Sequence, residues 1–168
     1  MGLITGIRFF YPMIVALLLL IISAVPIYIV GLSAFFPVVD VMVIYYWASS
    51  RPRVMPDWFI FLLGVLRDGV EGLTIGISSC VYLLVKFIVV ASRGLYIRGG
   101  FLLVWQGFAI AAIIAIAGKW LLVSFVMNKP ISLDSAIMQL MFSIAMYPVF
   151  YWFLNLVNIT VPDNYHDA

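Results

Sequence analysis

From Phe101 to Met127 the chain carries one ionisable side chain, Lys119, and no proline. A helix needs about 20 predominantly apolar residues to cross the hydrocarbon core of a bilayer, and this stretch exceeds that length. The rest of the chain continues the pattern. Of 168 residues, 66% are hydrophobic and 10% charged, against roughly 25% charged in an average soluble domain. Mean hydropathy is +1.21. A soluble globule of this size has too little interior to hide so much apolar surface. Disordered and collagen-like chains need polar or strictly periodic sequences, so both are excluded. The composition therefore predicts an all-α polytopic membrane helix bundle. It forms a single integral domain over residues 1–168, with no room for an extramembrane catalytic domain.

Proline, glycine and charge divide this domain into six spans, at about 9–25, 38–49, 56–66, 74–92, 101–127 and 132–157. Arg8 before the first apolar run resembles a signal peptide. Ile22-Ser23-Ala24 is a poor cleavage site, however, so the run is expected to stay as the first span. Residues 26–37 are apolar but interrupted by Pro26, Gly31, Ser33 and Pro37. The second and third helices are short. At 1.5 Å per residue, 11 or 12 residues cover about 18 Å, well under the roughly 30 Å of a hydrocarbon core. Either flanking residues extend them, or they are broken helices held inside the bundle. Pro56 suits the first turn of the third helix. Asn128-Lys129-Pro130 ends the fifth, Ser132 is placed to cap the sixth, and Pro148 lies within the sixth as an expected kink.

Basic residues set the orientation. With six spans, Arg8, Arg51, Arg53, Arg93 and Arg98 share one face, whereas Arg67 and Lys129 lie on the other. Both termini are therefore expected on the cytoplasmic side of the membrane. The net charge of +2, with no basic run, gives no footing for nucleic acid. Cys80, the lone cysteine, cannot form an internal disulfide; within an apolar stretch it is expected to be a buried packing residue.

Enzyme chemistry finds little to work with, and no cofactor is expected. The single histidine, His166, lies near the C-terminus, so neither a His-paired metal site nor a Ser-His nucleophile can be assembled within the apolar spans. Asp40, Asp57 and Asp68 fall near predicted helix ends, which does not suit a pair of aspartates at mid-depth.

Charges near the membrane interior are more informative, because burying one in hydrocarbon costs about 2.5 kcal/mol or more. Lys119 follows Gly107, Ala111 and Ala115 at four-residue spacing, so all four share one side of the fifth helix. Small residues at that period mark a face that approaches another helix closely. Lys119 should then point into the bundle or a cavity, where Asp40, Asp68 or Glu71 could neutralise it. Lys86 reads as snorkelling to the cytoplasmic surface. The densest signal runs from Trp58 to Ser79, where Gly64, Gly69, Gly72 and Gly76 alternate with Arg67, Asp68 and Glu71. That composition describes either a tightly packed hinge between two helices or a plain turn.

Arg51-Pro52, then Phe61-Leu62-Leu63-Gly64-Val65-Leu66-Arg67-Asp68, Gly72 and Gly76-Ile77-Ser78, preceded by Phe36-Pro37-Val38-Val39-Asp40, resembles the MreD family of rod shape-determining membrane proteins. The match covers about a quarter of the chain, with the remainder alike in hydropathy and span count. Thr74-Ile75 stands where family members often carry a proline. The resemblance implies a fold similar to the S components of energy-coupling-factor (ECF) transporters. It further implies a non-enzymatic subunit of the cell-elongation complex that binds MreC and acts with MreB, RodA and a penicillin-binding transpeptidase. Gly64, Arg67, Asp68, Gly72 and Gly76 would serve packing and partner engagement, with Lys119 as a charge anchor. A small-solute binding or transport subunit of the S-component type is the alternative.

Overall fold

The computed structural model describes residues 13–22, 38–94, 100–127 and 133–159. Among these residues the chain is all-α. The helices are α1 (Met13–Ile22), α2 (Val39–Ser50), α3 (Asp57–Glu71), α4 (Ile77–Ala91), α5 (Phe101–Met127) and α6 (Leu133–Ile159), with a 3-10 turn at Pro52–Val54. Residues 26–37, Arg98, Lys129, Ser132 and His166 lie outside the described residues.

α2 has no polar face, and its surroundings explain why. Every residue from Asp40 to Ser49 is buried, as expected of a helix that is apolar all round. It is enclosed by α4, α5 and α6. Its first free N–H, at Val38, donates to Ser143 Oγ at 3.0 Å. Ser143 lies ten residues into α6, about 15 Å along its axis, so α2 begins well inside the length of its neighbour. At that depth a side chain must do what water does at an exposed helix start. At the other end, Arg93 Nη2 donates to the Ser50 carbonyl at 3.0 Å and closes the last turn.

α3 and α4 form an antiparallel pair with ordinary amphipathic logic. Phe59, Ile60, Leu63, Gly64 and Asp68 make the buried stripe of α3, and Ser78, Val81, Tyr82, Val85 and Val89 that of α4. Cys80 falls off this stripe and is exposed, together with Leu84 and Phe87. The expectation of a buried thiol fails because the helical period, not the apolar run, decides which side faces in. Pro56 precedes the first helical residue of α3 rather than filling it; its carbonyl accepts from the N–H groups of Phe59 and Ile60 at 3.1 and 3.2 Å. Two boundaries also move from their sequence positions. α3 continues through Arg67 and Asp68 to Glu71, and α4 starts at Ile77 rather than Thr74.

α5 and α6 are each 27 residues long. Both are long and apolar enough to cross a membrane. Only 22% of each helix's apolar window is buried within the protein, and the outward faces carry Leu102, Ile110, Leu121 and Phe125 on α5 and Met141, Val149 and Trp152 on α6. Where the two helices meet α2, Phe108 stacks on Tyr147 with centroids 4.0 Å apart, and Tyr45 packs edge-on against both rings. Its hydroxyl donates to the Val104 carbonyl at 2.8 Å.

Pro148 sits inside α6 without ending it. A proline has no N–H, so the carbonyl of Ile144, four residues earlier, loses its helical donor. Trp105 of α5 supplies one: its indole Nε1 donates to Ile144 O at 3.0 Å. A neighbouring helix thus repairs the gap in the backbone ladder.

Candidate functional site: the α3–α4 hairpin and its ionic cavity

The link between α3 and α4 is built from a carboxylate and two glycines. α3 ends at Gly72, whose φ of +67° is left-handed, a conformation that costs an L-residue roughly 1–2 kcal/mol but not glycine. The N–H groups of Gly72 and Leu73 both return to the Asp68 carbonyl, the second at 2.9 Å, a Schellman-type closure. The Asp68 side chain then reaches across the loop. Its carboxylate accepts from Gly76 N at 2.8 Å and from Ser78 N at 3.0 Å, satisfying the open N–H groups at the start of α4. Gly76, at φ +107°, makes the turn into that helix.

Gly64 fixes how closely the two helices approach. A Cβ at this position would stand 2.4 Å from both Cα and N of Ser79, inside the backbone of α4. The Ser79 hydroxyl uses the same closeness to donate to the Phe61 carbonyl at 2.9 Å. Gly64, Asp68, Gly72 and Gly76 are therefore one interlocked unit, in which close approach, loop closure and remote capping depend on each other.

Arg67 and Glu71, on the same helix, face a different way. Arg67 Nε lies 3.4 Å from Asp40 Oδ2 and also donates to Glu71 Oε1. The other Glu71 oxygen accepts from Lys119 Nζ of α5 at 2.6 Å. Asp40, on buried α2, accepts from the Tyr82 hydroxyl at 2.9 Å. A chain of alternating charge, Asp40, Arg67, Glu71, Lys119, joins α2, α3 and α5, and Tyr82 ties α4 to it. Arg67, Glu71 and Lys119 border a cavity of ≈ 290 Å³, completed by residues of α2, α4, α5 and α6, among them Trp120, Ser135 and Gln139.

Of the three acids considered for Lys119, Glu71 takes the contact. Asp40 is two links further off, beyond Arg67, and Asp68 is turned away into the loop. Gly107, Ala111 and Ala115 are buried along the inward side of α5, where that helix meets α2 and α4; Lys119 continues the same side to the cavity. Lys86 does not simply snorkel. It lies at the opposite end of the hairpin, donating to the Met55 carbonyl at 2.7 Å and pairing with Asp57 at 2.5 Å, so it ties the start of α3 to α4. Two residues that sequence reasoning passes over prove structural: Tyr82, as the hydroxyl partner of Asp40, and Trp105. The available signal is general: a Tyr or Trp inside an apolar stretch needs a partner for its polar atom.

Among the described residues, no group of three or more His, Cys, Asp or Glu side chains is placed to hold a metal ion. No family model, curated protein or solved structure matches this chain.

Proposed function

We propose that the chain is an integral membrane bundle with both termini cytoplasmic, and that it is a non-enzymatic subunit of the bacterial cell-elongation complex of the MreD type. In this reading it docks MreC and supports peptidoglycan synthesis with MreB, RodA and a penicillin-binding transpeptidase. The observation that carries the proposal is the hairpin. The residues behind the family resemblance, Gly64, Asp68, Gly72 and Gly76, hold α3 rigidly on α4, and α3 meets the rest of the bundle mainly through that one partner. Its outer side is left with a ridge of Trp58, Leu62, Leu66 and Val70, each 41–59% exposed. A fixed apolar ridge at four-residue spacing suits contact with another membrane helix, where association depends on shape rather than on a hydrophobic drive. The chain would act by holding the MreC anchor helix and shifting the synthase between states, without chemistry of its own.

The test separates docking from folding. Leu62→Trp and Leu66→Trp change the ridge without touching the buried stripe. Both variants should fold and yet lose co-purification with MreC; undiminished co-purification would sink the docking role. Depletion of the protein in its host should round and swell the rods whatever the nutrient supply. The second reading, a small-solute binding or transport subunit similar in fold to ECF S components, draws support from the cavity beside Lys119. It requires growth arrest of normally shaped cells, rescued by one nutrient.

A further inference from the structure

The cavity at Lys119 has a charge pattern that selects its occupant. Arg67, Lys119 and Glu71 line the cavity, and buried Asp40 stands behind Arg67, so the two cations and two carboxylates of the connected chain cancel. An anion that shares the remaining N–H donors of Lys119 lies beside the Glu71 carboxylate already bound there, and the two like charges repel. A simple cation meets the mirror-image problem. A molecule carrying both signs meets neither, because its anionic group can lie on Lys119 while its cationic group lies on Glu71. These two side chains are each 28% exposed, within reach of a ligand rather than sealed in the core. The cavity volume of ≈ 290 Å³ is about ten times the roughly 30 Å³ share of one water molecule, space for a compact polar group. Val41, Ile116 and Val123 in the lining suit the hydrocarbon to which such a group is attached.

We propose that this cavity binds a small zwitterion, an ammonium and an anionic group within one molecule, either free or as the headgroup of a zwitterionic phospholipid. The proposal goes beyond the docking role and does not depend on it.

Thermal melting of the full chain in detergent tests it with four probes. Glycerophosphoethanolamine supplies the free zwitterion and short-chain phosphatidylethanolamine the lipid form; glycerophosphoglycerol and choline supply single charges. At least one zwitterion should raise the midpoint saturably, by about 5 °C, while the single charges leave it unmoved. A rise with the lipid alone assigns the site to a headgroup in the bilayer, and a rise with glycerophosphoethanolamine assigns it to a soluble zwitterion. Ala136→Phe fills the cavity without touching the ion pairs and should abolish the response. Glu71→Gln removes one negative charge and should turn the preference toward glycerophosphoglycerol. No response to either zwitterion overturns the proposal, as does an equal response to glycerophosphoglycerol in the unaltered chain. A response that survives in a folded Ala136→Phe variant overturns it too.

Discussion

Gly64 lacks a side chain because the backbone of Ser79 already fills the place where one would go. Backbone cannot rotate aside as the end of a flexible side chain can, so even one carbon must push α3 off α4. Gly64→Ala should lower stability by about 3 kcal/mol, the upper part of the usual overpacking range. Gly69 provides the contrast five residues on: it is helical, and a Cβ there meets nothing within 4 Å. Gly69→Ala should instead stabilise the chain by about 0.5–1 kcal/mol, the ordinary helix-propensity gain. Melting the two variants in parallel checks the pair, and equal effects would contradict the close approach. Sequence alone makes these glycines look alike, since each sits in the same charged, glycine-rich stretch. What separates them is the partner across the helix interface, which lies fifteen residues from Gly64 in the chain. The same limit applies to Asp68: its charge is legible, but its use as a cap for a helix that has not yet begun is not.

Helix ends were readable wherever a residue acts through its own backbone. Pro52, Pro56 and Gly100 bound α2, α3 and α5 close to the positions expected from them. Where side chains decide, the ends lie elsewhere. Arg67, Asp68 and Glu71 look like loop composition, yet they continue α3, because their charges are satisfied by Asp40, by the start of α4 and by Lys119 rather than by solvent. The start of α4 moved to Ile77 for the related reason that Thr74 to Gly76 form the bridge over which Asp68 reaches. Pro148 is legible as a weak point within α6, where the sequence predicts a kink, but the donor that compensates for it comes from α5. That compensation can be tested as a cycle. Trp105→Phe strips Ile144 O of its donor and should cost about 1–3 kcal/mol. Pro148→Ala restores an N–H within the helix, so in that background Trp105→Phe should cost markedly less. Additive losses in the two single and one double variant would mean that Trp105 does not serve the proline gap.

At the scale of the molecule, the charged fastenings form two separate groups. Lys86 with Asp57, and Arg93 with Ser50, hold one, formed by residues 50–57 and 86–94; Asp40, Arg67, Glu71 and Lys119 make the other. This separation, with the basic-residue count of the sequence, predicts that the 51–56 link is cytoplasmic and the 72–76 link lies on the outer side. In a Cys80→Ala background, Arg53→Cys should react with a membrane-impermeant maleimide only after the cells are opened, and Leu73→Cys should react in intact cells. The reverse pattern would invert the topology. The burial of α2 bears on how such a molecule can be made. Synthesis runs from the N-terminus, so α2 emerges early, but its enclosing partners include α5 and α6, the last long helices to appear. At 12 residues it is too short to rest across a bilayer by itself, and Asp40 near its start would be stranded there until Arg67 and Tyr82 arrive. The centre of the bundle must therefore wait, incompletely housed, for its own walls to be translated.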